Sequence, residues 1–277
     1  MSLRTRTLCF VATLTLSLMG CVAEREDDGA DTTQISGSDA GVAGDSATVG
    51  PMDGGLPSDA EISTIVELQL EAEELGCDDK SIQTLKPSVA LEGVVVTATK
   101  FDAFTSDDGE VGLDGYYVGD MDAAEWSGIM IVVDRSAATD FPLGAVLDLT
   151  GELEEYYCMT QIDVAGYAES DAISPPTPWL VAPQDAGAEL YEGMLLKVEE
   201  VTVDSQDDFG NSTVNDGLII GDEFNVYADL SVGETYDVTG VLVMNYGEYK
   251  LSPRSLDDIV FSETGEPVGT DPTDPTD

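Results

Sequence analysis

Histidine is missing from all 277 residues, which removes the commonest general base and the commonest zinc ligand from any mechanism the chain could use. Basic residues are nearly as scarce: 10 Lys and Arg stand against 56 Asp and Glu, a formal net charge of −46. Such a chain repels polyanions, so nucleic acid is a disfavoured partner. No G-x-S-x-G elbow, phosphate-cradling P-loop or Cys/His pair occurs, which leaves the familiar nucleophilic and phosphoryl-transfer chemistries without a foothold. A carboxylate pair of the glycosidase type stays open in so acidic a chain, but no feature singles one out. Apart from the N-terminal region, no apolar run approaches the length of a spanning helix. What remains is a chain predicted not to be an enzyme, whose Val, Leu, Ile and Tyr are plentiful enough in the middle to bury a core.

The N-terminus carries the sharpest signal. Arg4 and Arg6 precede an uncharged run from Cys9 to Met19, and then comes Leu18-Met19-Gly20-Cys21. A charged start, a short apolar stretch and a small-residue cleavage point form a secretory leader, too short to span a bilayer. The Cys after Leu-Met-Gly resembles the bacterial lipobox, which implies cleavage before Cys21 and acylation of that residue. Residues 1–20 are thus expected to be a signal peptide and Cys21 a lipid anchor, giving stable membrane attachment through several acyl chains. Because Val22 rather than Asp follows the anchor, the resemblance implies an exported protein of the outer membrane. The mature chain would keep 8 basic residues against 56 acidic ones, a formal net charge of −48.

Two cysteines are then left over, Cys77 and Cys158. An even pair in an exported protein reads as a disulfide, and two buried free thiols are the alternative.

Composition divides the chain. Residues 21–60 are Asp, Gly, Ser, Ala and Thr with no helical or strand period, an acidic, disordered tether whose reach is on the order of 35 Å. Residues 263–277 form a Pro- and Asp-rich disordered tail. Between them lie strand signals: LEGVVVTAT, GYYVGD, SGIMIVVD, AVLDLTGELEEYY, YEGMLLKVEEVTV, GLIIGD, TYDVTGVLVM and EYKLSP, each bounded by Gly, Asp or Pro.

The strand signals repeat. Leu143–Ile162 lies over Val232–Leu251 at an offset of 89, which aligns Asp148 with Asp237, Gly151 with Gly240 and Tyr157 with Tyr246. Upstream, LEGVVVTA at Leu91 lies over YEGMLLKV at Tyr191 at an offset of 100, which gives the first copy about 11 extra residues. A repeat of this size is a duplicated domain rather than a solenoid unit. The E-G-V opening, the G-x-x-x-D-V/L-T-G segment and the Tyr-bearing strand that follows, all occurring twice, resemble the OB-fold domains of bacterial exported proteins, including those that accompany extracellular nucleases and those in surface lipoproteins. The resemblance implies an all-β chain of two tandem five-stranded Greek-key barrels, with strand glycines Gly93, Gly151, Gly193 and Gly240 at bends. The divisions expected are 61–88 docking on the first barrel, 89–170 as the first OB-like domain, 171–188 as a linker and 189–262 as the second domain.

A binding or structural module of the envelope is the expected function. Partners would be the membrane through the lipid anchor, and an envelope protein or a glycan; the alternatives are a nucleic-acid or nuclease-accessory protein and a calcium-dependent adhesion or carbohydrate-binding module. Candidate ligand contacts are Tyr116, Tyr117 and Trp126, the last in an insertion peculiar to the first copy. No cofactor is expected except calcium, for which the acidic loops around Asp107, Asp108, Glu110 and Asp114 and around Asp204, Asp207 and Asp208 offer oxygen ligands without EF-hand spacing.

Overall fold

The computed structural model describes residues 50–52, 56–57, 61–76, 82–106, 112–120, 125–226 and 230–262. The leader, Cys21, most of the tether, Cys77 and the tail lie outside the described residues. So do Asp107, Asp108 and Glu110.

After a two-residue strand, β1 (Gly50–Pro51), comes the α-helix α1 (Ile65–Leu75). Thr64 starts it: its hydroxyl accepts from the Glu67 N–H while the Glu67 carboxylate accepts from the Thr64 N–H, a reciprocal capping box. Ile65 and Leu68 enter the core of the first barrel, and the Gln69 amide donates to the Gly128 carbonyl at 2.7 Å. α1 thus packs on that barrel, and residues 82–88, expected in a docking segment, belong to the barrel's own first strand.

The first barrel comprises β2 (Ile82–Thr105), β3 (Gly112–Gly119), β4 (Gly128–Asp134), β5 (Ala145–Tyr156) and β6 (Met159–Ile173). β2 pairs with β3 and β5, β3 with β4, β4 in parallel with β6, and β6 with β5, a closed five-stranded ring. This is the OB connectivity. After β7 (Trp179–Leu180), which pairs in parallel with the following strand, the second barrel repeats the ring. Its strands are β8 (Leu195–Gln206), β9 (Ser212–Val214), β10 (Ile219–Ile220), β11 (Thr235–Asn245) and β12 (Glu248–Ser252), with β13 (Ile259–Phe261) added on β11.

Strand register upholds one half of the sequence repeat and corrects the other. Ile131 pairs with Ile162 and Ile220 with Leu251, so the offset of 89 holds across both partners. The first strands align differently. Leu91 pairs with Leu149, and Val198 with Val238, so with β5 and β11 fixed at 89 the opening strands stand 107 apart, not 100. Leu91-Glu92-Gly93-Val94 therefore corresponds to Val198-Glu199-Glu200-Val201. Both segments carry a bulge: the Gly93 N–H donates to Asp148 Oδ1 and the Glu200 N–H to Asp237 Oδ1, each at 2.9 Å, with φ of 71° and 57°. The YEG motif matched LEG by composition alone. The first copy is consequently 18 residues longer between these points, with 11 in the β2–β3 hairpin and 7 in the β3–β4 turn.

Gly151 and Gly240 are conserved between the copies for a packing reason: a Cβ there would sit 2.2 Å from the Asp163 carbonyl oxygen and 2.6 Å from that of Ser252.

Both barrels belong to one compact unit, Ser46–Asp277. Beyond the two barrel cores there is a third apolar cluster shared between them: Ala98, Tyr117, Met130, Val132 and Met159 from the first, Leu195, Val241 and Val243 from the second. Arg254 donates to the Thr97 carbonyl at 2.9 Å and the Trp126 N–H to the Leu190 carbonyl at 2.7 Å. Gly128 and Gly193 meet so closely that a Cβ on Gly128 would lie 2.3 Å from the Gly193 carbonyl carbon. Gly193, expected at a strand bend, instead lets the barrels touch.

Candidate functional site

Each barrel ends one hairpin in a two-residue turn with positive φ at both positions, the twist that matches paired strands. In the first it is Tyr157-Cys158, at φ 50° and 67°, between β5 and β6; in the second it is Tyr246-Gly247, at 52° and 80°, between β11 and β12. Asn-Gly is the favoured pair for such a turn, and a tyrosine in the left-handed region is uncommon. Both copies place one there. Tyr157 is 49% exposed and Tyr246 is 95% exposed.

The two turns face one cleft of about 990 Å³ between the barrels. Its lining takes Phe101, Tyr117, Tyr156 and Tyr157 from the first barrel and Phe224, Tyr246 and Tyr249 from the second, with Met130, Met159 and Met244 among them. Phe101 stacks on Tyr117 at 5.7 Å between ring centroids and meets Phe224 edge-on at 5.5 Å, so the aromatic floor is continuous across the junction. α1 contributes one wall through Gln69, Ala72 and Glu73.

Carboxylates ring this aromatic surface: Glu73, Asp102, Glu155, Glu189 and Glu223. Beneath them Glu192, 3% exposed, joins the barrels: one carboxyl oxygen accepts from the Thr160 N–H at 2.9 Å and the other from the Tyr249 hydroxyl at 3.1 Å. Burial, with repulsion from Glu155 and Glu189, pushes its carboxyl up to about 8 against the pull of the two hydrogen bonds. Burial likewise raises Glu155, although the Thr160 hydroxyl donates to it at 2.6 Å. The Tyr117 and Tyr249 hydroxyls are driven up by burial and then by the Glu192 charge.

Two of the rim carboxylates are already paired, Asp102 with Arg135 at 2.6 Å and Glu223 with Lys250 at 3.8 Å. Among the described residues the basic side chains are Lys86, Lys100, Arg135, Lys197, Lys250 and Arg254, and each lies within 4.0 Å of a carboxylate. None of them lines the cleft.

The residues singled out in the sequence scatter. Tyr116 is fully buried in the first barrel, its hydroxyl donating to the Thr139 carbonyl at 3.2 Å and its ring tilted on Phe141. Tyr117, next along the strand, points the other way into the shared cluster and borders the cleft. Trp126 is half-buried beside the barrel junction and outside the cleft. Asp114 is a buried strand residue rather than a loop ligand, with Arg135 at 2.8 Å and Lys100 at 3.8 Å on its carboxylate. In the second acidic loop Asp207 is occupied by the Phe209 and Asn211 N–H groups at 2.8 and 2.9 Å. Among the described residues no three Asp, Glu or Cys side chains gather as a metal site. Cys158 lines the cleft.

Sequence reading missed the site because each barrel supplies half of it. The recurrence of Tyr157 as Tyr246 at the offset of 89 was the available clue.

No protein-family model matches the chain, and no curated protein matches it. Among solved structures, the chain is similar to the tetrameric p202 HIN2 domain at 14% identity, over 66% of this chain and 94% of that one, with a TM-score of 0.28. Two structures of the single-stranded DNA binding protein from Thermus aquaticus, wild type and a deletion mutant, are each 13% identical over 66% of this chain, with a TM-score of 0.22. They cover 97% of the mutant's chain and 96% of the wild type's. The strand pairings on their own make this an all-β chain of two OB-type barrels.

Proposed function

We propose that this chain is a non-catalytic binding module of the bacterial cell envelope, lipid-anchored through Cys21, which receives its ligand in the cleft between its two barrels. The observation that supports the site is the pair of tyrosine turns. The same aromatic residue is held in the same unfavoured backbone conformation in both copies, and the two arrive at one concavity. Exposed apolar surface gathered in a concavity marks recognition sites. The envelope assignment rests on the leader and Leu18-Met19-Gly20-Cys21, and the outer membrane on Val22.

The cleft is tested by placing 3-fluorotyrosine in the whole chain and following the Tyr157 and Tyr246 resonances against calcium, a neutral chitooligosaccharide, spermidine and single-stranded DNA. A ligand that shifts both resonances together supports the reading; if every probe leaves them unmoved while shifting others, the cleft is not the site. For the anchor, Cys21→Ser is expected to release the protein into the soluble fraction, and full retention in the membrane would refute it. Single-stranded DNA is the partner that OB architecture invites, but six engaged cations leave little with which to release counterions from a phosphate backbone. Retention on immobilised single-stranded DNA at low salt would restore that reading.

A further inference from the structure

We infer that the cleft takes a linear organic polycation, of the class of the aliphatic polyamines, with its ammonium groups held between the tyrosine turns and the carboxylate rim. The inference rests on the binding-module reading and adds the ligand's chemistry.

Three features of the lining point to a donor-only, positively charged guest. The first is the imbalance of polar groups. Five carboxylates line the cleft, while of its donors the Gln69 amide is spent on Gly128, the Thr160 hydroxyl on Glu155 and the Tyr249 hydroxyl on Glu192. An ammonium has three donors and no acceptor and complements such a wall; a sugar hydroxyl both donates and accepts, and would leave its lone pairs unserved. The second is charge without relief. Glu73, Glu155 and Glu189 line the cleft with no ion-pair partner among the described residues, so a cation entering there meets carboxylates not yet paired. The third is the aromatic surface. Tyr157, edge-to-face with Tyr156 at 4.8 Å, and Tyr246 stand exposed at the cleft, and cations bind over aromatic faces within about 6 Å of the ring centroid. The methylene stretches between ammonium groups would lie on Met130, Met159 and the aromatic floor.

Spermidine is the probe, titrated into the whole chain in a non-ionic detergent at 0.15 M salt. Saturable binding is expected, with both fluorotyrosine resonances shifting. The variant carrying Tyr157→Ala and Tyr246→Ala is expected to weaken it on the order of tenfold, and Glu189→Gln several-fold. Glu234→Gln, on an exposed turn away from the cleft, is expected to change nothing. Since both tyrosines are solvent-facing, circular dichroism will show the double variant folded. Equal binding by wild type and the double variant would mean diffuse condensation on an acidic surface and would overturn the inference. Tyrosine shifts with the chitooligosaccharide but not spermidine would overturn it while keeping the cleft as a site. Silence from both resonances with every probe would remove the site itself.

Discussion

The two barrels share one connectivity and differ in how each completes itself. The first runs β2 for 24 residues, pairs β3 and β4 over seven positions, and buries Ile65 and Leu68 of α1 in its core. The second has β9 and β10 of three and two residues and no α-helix of its own among the described residues. It is completed sideways: its Leu195, Val241 and Val243 are buried in a cluster shared with the first barrel. Each barrel covers apolar surface that the other would expose, and the cleft lies along that junction. The described residues thus make one folding unit with two cores and a shared third.

Cutting the dependence gives the largest expected effect. Tyr117→Ala removes a fully buried ring from the shared cluster and should cost about 3–5 kcal/mol. Thermal unfolding of the whole chain should split from one transition into two, the second barrel melting first. A single transition shifted as a whole would mean that the dependence is mutual.

The buried Glu192 sharpens the comparison through pH. It faces Thr160 and Glu155 of the first barrel and Tyr249 and Glu189 of the second, with Tyr117 sensing its charge. Its folded pKa of about 8 is raised above the ordinary carboxyl value of 4.5. The contribution is thus whole below 4.5 and is lost as pH rises through 8. Glu192→Gln, which cannot ionise, should erase that decline and exceed wild type at pH 9 by on the order of 3 kcal/mol. Parallel urea melts at pH 5 and pH 9 decide it; identical pH slopes would place the charge elsewhere.

A bridge between Cys77 and Cys158, if formed, staples the first copy alone, since Gly247 occupies the matching place in the second. Cys158→Ser should cost about 2 kcal/mol and make the melting temperature indifferent to reductant. A non-reduced digest containing both residues as free thiols would end the proposal. The smallest effect tests the corrected register. Glu200→Gly relieves a left-handed glutamate and should change stability by less than about 1 kcal/mol, whereas Gly93→Glu at the matching bulge should cost about 1. Equal and large losses at both would show that 93 and 200 are not equivalent.

Fold class was legible because its signals are local: β-branched runs, turn residues, and the Asp148/Asp237 and Gly151/Gly240 pairs, which recur since each copy needs the same bulge tie and the same close strand approach. Thr64-Ile65-Val66-Glu67 carries the capping-box spacing that starts α1, a signal the sequence reading did not use. YEG misled because Glu-Gly is short and recurs for different reasons, a bulge in one place and a barrel contact in the other. The cleft was illegible for a deeper reason. Tyr116 and Tyr117 look alike in sequence, yet strand alternation sends one into a core and the other toward the sister barrel, and nothing local says what a sister barrel will bring.

The complete engagement of Lys86, Lys100, Arg135, Lys197, Lys250 and Arg254 has a consequence at longer range. A body whose every described cation is already answered by a neighbouring carboxylate offers a phosphate-bearing surface no point of adhesion. At physiological ionic strength the repulsion acts over a screening length of about 8 Å, so approach to an anionic bilayer is resisted only at the last few water layers. The barrels thus carry a short-range guard against any anionic surface, set by charge and not by shape.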